Sequence, residues 1–317
     1  MIYTTMTKAT LMTGLKYAPL VLGLLLLGIG AAFVPWHDVV PYFSRLNPVS
    51  YVAIATLGIG YYVARIIRYY YMMGILNTPR TPARTVLAYF TAQPISLLPG
   101  GEVYRIVTLN EHSNVPRAKG LSIVFIQSFT ENIAMIALAL VSAIILNQYV
   151  LIIFGLLLLY IVILILLRTR RTIERSHKIL NKLPFVNFAR SKFQAFIHRN
   201  RTLLSGKSFV TIILTGFAST LIASLLLFIV ANDIGIHLDF AHAVVAFTLP
   251  SVLQNITFLP GGIGVNEQGS VGILVLLGAS VPAAVALTII MRFVTLAMGV
   301  IIGLLALLAV KIKSLSA

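Results

Sequence analysis

Seven ionisable residues lie within or beside strongly apolar stretches of this 317-residue sequence. They are Arg65, Arg68, Glu102, Arg105, Glu131, Glu267 and Arg292. A charged side chain at the centre of a membrane-spanning helix costs about 2.5–3.5 kcal/mol on insertion scales, so each of these residues needs a partner or a function. Arg65 and Arg68 are three residues apart on one helix face, which would place both guanidinium groups beside one phosphate. Ordinary anchoring of a helix end at a basic, aromatic membrane interface explains the same pair equally well.

Arg292 is the charge that most needs a role, because threonines and aliphatic residues surround it and its side chain could hardly reach the membrane surface. We expect Glu131 or Glu267 to be its counter-ion, and we expect these two acids to balance charge or to carry a coupling proton. Glu102 and Glu267 also have a purely structural explanation, since an acid in the first turn of a helix meets the positive end of the helix dipole.

A nine-residue motif occurs twice, as QPISLLPGG at 93–101 and as QNITFLPGG at 254–262. Its proline stops a helix, and its paired glycines allow a tight turn, after which the next helix presents unpaired N–H groups that suit an anion. A compact turn without any ligand is the alternative explanation. The motif residues expected in a binding site are Gln93, Gly100 and Gly101 in the first copy and Gln254, Gly261 and Gly262 in the second.

The composition places the chain in the membrane. Hydrophobic residues make up 59% of it, charged residues only 10%, and the mean hydropathy is +0.97, values that exclude an ordinary soluble domain. The net charge of +16 comes from Lys and Arg clustered in short loops, a pattern that reports topology and affinity for anionic lipid rather than nucleic acid. The absence of cysteine excludes disulfides and thiolate chemistry.

The apolar runs predict six membrane spans. They lie at 15–34, 50–73, 120–146, 149–167, 208–231 and 283–310. The first is expected to be retained, since no signal-peptide cleavage site precedes Pro35. The loop 168–207 carries eleven Lys or Arg against one acid, so it should be cytoplasmic, and the six crossings then place both termini there too.

Two further apolar stretches contain the repeated motif and cannot cross the membrane without forcing basic loops outside. We therefore predict re-entrant hairpins at 85–109 and 243–278. The chain 1–317 would be a single integral membrane domain, all-α and polytopic. It divides into repeat units at 12–147 and 148–310, inverted because each contains three spans, with the motif tips meeting near the midplane.

Other chemistry lacks support. The six histidines do not form a metal-binding pattern, and no nucleotide-binding loop is present, so we predict neither a metal site nor another cofactor. The basic loop 168–207 contains apolar residues among its cations and should lie on the inner leaflet, where it would serve anchoring or assembly.

Four segments together resemble a known family. They are the Arg-x-x-Arg at 65–68, LPGGEVYR at 98–105, LPGGIGVNE at 259–267 and MRFVTL at 291–296. They resemble the lysylphosphatidylglycerol synthase transmembrane-region family, which includes the flippase half of the multiple peptide resistance factor, over roughly residues 12–310. The resemblance implies translocation of aminoacylated phospholipid or of polyisoprenyl-phosphate lipid. It also implies candidate roles for Gly101, Glu102, Arg105, Gly262, Glu267 and Arg292.

The sequence departs from this family in two ways. A Glu-Arg pair is common there in the span after the first hairpin, but this chain has Gln127 and Ser128 and keeps only the following acid, Glu131. The recognised head group is therefore expected to differ. The chain also lacks the soluble aminoacyl-transferase domain of the two-part enzymes, so it is not expected to synthesise lysylphosphatidylglycerol.

The leading hypothesis is a flippase-like transporter and not an enzyme. Its partner would be a membrane lipid with an anionic head group, and it would bind no nucleic acid; a second copy or a membrane enzyme could assemble with it. One alternative is a membrane-embedded glycosyl- or phosphotransferase that uses a polyisoprenyl-phosphate donor, with Asp38 as an outer-face base. Another is a secondary transporter of a small solute.

Overall fold

The computed structural model describes residues 32, 34, 36–96, 101–147, 150–168, 196, 198–257 and 264–315. These residues form helices and connecting turns and contain no strand. The helices of the first half are α1 (Trp36–Phe43), α2 (Pro48–Ile75), α3 (Pro82–Thr91), α4 (Gln93–Ser96), α5 (Gly101–Ser113) and α6 (Arg117–Leu146). Those of the second half are α7 (Val150–Arg168), α8 (Gly206–Asp233), α9 (Phe240–Thr257), α10 (Val265–Leu276), α11 (Val281–Arg292) and α12 (Met298–Leu315).

Four helical segments are long and apolar enough to cross a membrane. They are α2, α6, α8 and the continuous run Val281–Ala309, with lengths of 28, 30, 28 and 29 residues, and a span needs about 20 residues. The prediction of an all-helical, multi-pass membrane protein is therefore confirmed. Helix α7 is apolar and shorter, and the predicted span 15–34 lies almost entirely outside the described residues.

Helices α2 and α8 pack side by side in opposite directions. At one end, Asn47 precedes α2 and donates from its backbone N–H and its side-chain amide to Asp233, the last residue of α8, over 2.7 and 2.6 Å. Further along, Arg68 of α2 donates to Ser219 of α8 over 2.8 Å. Contacts that run from the start of one helix to the end of the other make this central pair antiparallel.

Helices α3, α4 and α5 form a first helical hairpin. The Thr108 hydroxyl of α5 donates to the Ala88 carbonyl over 2.8 Å, and α3 packs along α5. At the tip, any side chain at Gly101 would collide with the Ile95 carbonyl, so the two arms approach at a distance that only glycine permits. The tip residues 97–100, which include Gly100, lie outside the described residues.

Helices α9 and α10 form a second hairpin. The Asn266 side chain in α10 donates to Gln254 Oε1 in α9 over 2.8 Å, and Gly269 faces Pro250 further along the arms. The residues between the arms, 258–263, lie outside the described part of the chain, and they include the predicted Gly261 and Gly262.

Each long helix after a hairpin packs against the hairpin of the other half. Helix α6 contacts α9, while α12 contacts α3 and α4. A five-residue π-helix, Phe293–Ala297, joins α11 to α12 directly after Arg292. The short helix α1 packs on α11, where the hydroxyls of Tyr42 and Ser280 lie 3.1 Å apart. The two hairpins and the long helices between them enclose a cavity.

Candidate functional site

A cavity of about 420 Å³ lies between the two hairpins, bounded also by α2, α6 and the α11–α12 run. The first hairpin contributes Gln93 and Arg105 to the lining, and the second contributes Gln254 and Asn266. The sequence-predicted residues that line the cavity are Arg65, Gln93, Gly101, Arg105, Glu131, Gln254 and Arg292. Residues far apart in the sequence are thus brought to one enclosed space.

Glu131 of α6 holds two arginines of α2 through one carboxylate oxygen. Its Oε2 atom lies 3.0 Å from Arg65 Nη2 and 3.3 Å from Arg68 Nη1, and Arg65 also donates to the Tyr61 hydroxyl. The three-residue spacing places both guanidinium groups on one helix face, as expected. Their shared partner is a carboxylate of this chain.

Arg68 itself does not reach the cavity. Its side chain is 0% exposed and is held by Glu131, by Ser219 Oγ at 2.8 Å and by the Thr215 carbonyl at 3.3 Å. These hydrogen bonds of the buried Arg68 side chain connect α2 with α6 and α8. The hypothesis that Arg65 and Arg68 meet the same phosphate therefore needs correction, because only Arg65 lines the cavity.

A second ion pair links α10 and α11. Arg292 Nε donates to Glu267 Oε1 over 2.6 Å, which identifies Glu267 as its counter-ion among the two candidates. The other oxygen, Glu267 Oε2, accepts the Gly264 N–H over 2.7 Å at the start of α10. Glu267 therefore has the structural helix-start role and the ion-pair role together. Arg292 Nη1 also lies 3.4 Å from Gln254 Oε1, which connects α11 to α9.

Arg105 comes from the second arm of the first hairpin. It is 5% exposed, lines the cavity, and places its guanidinium carbon 5.3 Å from the centre of the Tyr89 ring. A cation over an aromatic face gains about 0.5–2 kcal/mol, depending on how far it is desolvated. Glu102 is the second residue of α5, next to cavity-lining Gly101, and its side chain lies outside the described part.

The charges of the site are unequal. The segments that form the site contain four arginines (Arg65, Arg68, Arg105 and Arg292) and three glutamates (Glu102, Glu131 and Glu267), so arginine exceeds glutamate by one. In a low-dielectric environment an excess charge is costly unless a ligand of opposite sign compensates for it. The site is therefore suited to an anionic guest.

Sequence reasoning missed a group of neutral polar residues in the cavity wall. Asn255 donates to Asn132 Oδ1 over 2.6 Å, a contact that joins α9 to α6. Asn266 and Ser128 also line the cavity. Asn132 and Asn255 lie in apolar helices, so their amide side chains were a usable signal in the sequence, although a weaker one than a charged residue.

The lining of the cavity is exposed at one end and buried at the other. Near the start of α6, Leu121 is 43% exposed and Phe125 36% exposed, and both line the opening. At the opposite end, Ala246, Leu274 and Leu287 are at most 1% exposed. We refer to the exposed end, near the start of α6, as the open end of the cavity and to the buried end as the closed end.

Asp38, the base of the enzyme hypothesis, lies away from this cavity. Its side chain is 60% exposed, and its nearest described polar partner is His37 at 3.4 Å. Within the described residues, no group of three His, Cys, Asp or Glu side chains is arranged to hold a metal ion.

Comparison with known proteins gives one finding that covers most of the chain. The family model described as the lysylphosphatidylglycerol synthase TM region matches residues 17–303. No curated protein and no solved structure matches the chain. The matched range includes both hairpins and all the cavity-lining arginines.

Proposed function

Since the chain belongs to the lysylphosphatidylglycerol synthase transmembrane-region family, we propose that it is a transporter that moves a phosphate-bearing lipid across the cell membrane. The membership itself shows a membrane protein of a lipid-related family. The specific proposal is translocation of a phospholipid, an aminoacylated phospholipid or a polyisoprenyl-phosphate lipid, without catalysis.

The observation that carries this proposal is the arginine-rich cavity between the hairpins. Arg65, Arg105 and Arg292 reach it from three different elements, and Glu131 is the acid among its lining side chains that the structure places. Guanidinium groups bind phosphate through paired N–H donors, so they match a phosphodiester better than a small neutral solute. Buried charge at this density also accords with a ligand pathway.

We propose that the membrane arrangement comprises six spans and two re-entrant hairpins in an inverted repeat. The antiparallel pairing of α2 with α8 supports it, because these are corresponding helices of the proposed units 12–147 and 148–310. Reciprocal packing of α6 on α9 and of α12 on α3 also accords with two units that exchange hairpins.

The distribution of basic residues supports an orientation with the loop 168–207 and both termini in the cytoplasm. Arg117 and Lys119 stand at the start of α6, beside the open end of the cavity. In this orientation the cavity opens toward the inner leaflet, and an anionic head group would enter past these cations.

Alternating access is the mechanism of translocation that this arrangement supports best. The phosphate would enter past Leu121 and Phe125 on one face of α6, and Arg65, Arg105 and Arg292 would then hold it. Glu131 and Glu267 keep Arg65 and Arg292 extended toward the cavity, and they are the groups available for proton coupling. Rearrangement of the hairpins would then open the closed end. A second copy or a membrane enzyme could assemble with the transporter.

The test is lipid mass spectrometry combined with transport in proteoliposomes. The wild type should retain a phosphate-bearing lipid above its bulk abundance, and Arg292→Ala and Arg105→Gln should lose this enrichment together with most of the transport. Arg80→Ala is the matched control, since Arg80 stacks on Tyr70 and does not line the cavity. Enrichment and transport that survive in both cavity variants would refute the assigned site.

A further inference from the structure

The head-group chemistry can be specified further from the neutral part of the cavity wall, on the basis of the proposed lipid transport. We propose that the cargo is a phosphodiester lipid whose head group is neutral and rich in hydroxyl groups, and not an aminoacylated lipid with a cationic head group. The observation behind it is a wall of amides beside acids that already have cationic partners.

The amide side chains come from four helices, α4, α6, α9 and α10, and thus from both hairpins and from α6. Those that line the cavity are Gln93, Asn132, Gln254, Asn255 and Asn266. An amide both donates and accepts hydrogen bonds, and so does a hydroxyl group, whereas an ammonium group only donates. Serine and threonine hydroxyls, among them Ser128 and Thr288, add further groups of the same dual character. This wall matches a polyol or a sugar.

The two acids whose side chains are placed are already engaged. Glu131 accepts from Arg65 and Arg68 through Oε2, while Glu267 accepts from Arg292 through Oε1 and from the Gly264 N–H through Oε2. A cationic head group would have to displace a guanidinium group to gain either of these two carboxylates. It would also add positive charge to a site that has an excess of arginine.

Two hydrogen-bonded amide pairs are positioned to recognise such a head group. Asn255 and Asn132 are joined over 2.6 Å, and Asn266 and Gln254 over 2.8 Å, so each pair is held in position before a ligand arrives. Gln254 is also within 3.4 Å of Arg292, which places a neutral recognition group directly beside a phosphate-binding cation. Phosphate and hydroxyls on neighbouring atoms of one head group would satisfy this arrangement.

The shared chemistry, a phosphodiester with a polyhydroxylated group, could come from a glycerophospholipid or from a glycosyl-phosphoprenol. The experiment offers the purified protein an equimolar mixture of phosphatidylglycerol, lysylphosphatidylglycerol and a hexosyl-phosphoprenol in a phosphatidylcholine background. Native mass spectrometry then measures the retained lipids. Phosphatidylglycerol and its lysyl derivative differ only in the aminoacyl group, so they isolate the effect of the added ammonium groups.

We expect at least one hydroxyl-rich lipid to be retained about tenfold over lysylphosphatidylglycerol, and the better retained of the two identifies the source. Asn132→Asp, which adds a carboxylate to the amide wall, should raise lysylphosphatidylglycerol retention several-fold. Asn114 is exposed and does not line the cavity, so Asn114→Asp should leave the ratio of lysylphosphatidylglycerol to the hydroxyl-rich lipids unchanged. Equal or stronger retention of lysylphosphatidylglycerol by the wild type would overturn this inference and leave the proposed function standing. No enrichment of any of the three over phosphatidylcholine would overturn both.

Discussion

At the scale of single residues, one carboxylate gives two arginines different tasks. Glu131 holds Arg65, whose side chain is 17% exposed at the cavity, and Arg68, whose side chain is fully enclosed among α2, α6 and α8. A buried charge must keep its partners, while a charge at a cavity surface can exchange one partner for a ligand. We therefore expect Arg68 to contribute mainly to stability and Arg65 mainly to transport.

Arg68→Met should lower the apparent melting temperature in detergent strongly, because breaking a buried ion pair costs about 3–5 kcal/mol. Arg65→Met should cost much less stability, since Glu131 keeps Arg68, but it should abolish most lipid transport. Melting curves and proteoliposome transport on the same preparations measure both effects. If Arg68→Met melted like the wild type and Arg65→Met did not, the two tasks would have to be reversed.

The sequence could predict which charges matter but only part of their pairing. Glu267 as partner of Arg292 was one of two expected solutions, whereas the Glu131 bridge to α2 depends on packing of α2 against α6 that local pattern does not encode. Glu131 and Arg292 are also separated by 161 residues, the same offset as Gln93 and Gln254. Equivalent positions of the two units thus carry opposite charges. Each forms an ion pair within its own half of the chain, Glu131 with Arg65 and Arg292 with Glu267.

At the scale of elements, the sequence predicted the two hairpins but not every irregular helix of the fold. The repeated motif indicated both turns, because proline followed by paired glycines marks a chain reversal. The break at Ala92 between α3 and α4 also has a local cause, because Pro94 lacks the N–H that would bond the Phe90 carbonyl. The short helix α1 and the π-helix Phe293–Ala297 have no comparable local signal. The π-helix follows Arg292 directly, and π-bulges are frequent at functional sites. Arg292 and Thr295, which are three residues apart, both line the cavity.

Close packing of α12 on the first hairpin gives an element-scale prediction. A Cβ atom at Gly303 would lie 2.7 Å from Pro94 Cδ and closer still to the Phe90 carbonyl, so even alanine must push α12 away. Gly303→Ala should lower the melting temperature, with an overpacking cost of about 1–3 kcal/mol, and should slow transport because the hairpin is displaced.

Gly155 provides the matched control, since it lies in helix α7 with open space where its Cβ would be. Gly155→Ala should be neutral or stabilising by up to about 1 kcal/mol, because alanine favours the helix. Thermal unfolding of both variants in the same detergent tests the difference. Equal melting temperatures would show that the α12–hairpin contact is looser than the structure describes.

At the scale of the whole molecule, the lining of the cavity is exposed at one end and buried at the other. Ser128 lies exposed at the open end, whereas Ala246 is 1% exposed at the closed end. The chain contains no cysteine, so single-cysteine variants report accessibility without background. Under alternating access, the two positions should become reachable from opposite sides of the membrane and at different times.

In the resting protein, Ser128→Cys should react rapidly with a membrane-impermeant maleimide from the cytoplasmic side, and Ala246→Cys should stay protected from both sides. Addition of a transported lipid should expose Ala246→Cys to the outer side and slow the labelling of Ser128→Cys, because opening one end requires closing the other. Inside-out and right-side-out vesicles distinguish the sides, with exposed His37→Cys marking the predicted outer face. Labelling of both positions from one side in every condition would indicate a continuous channel, which a closed apolar end at Leu274 and Leu287 argues against.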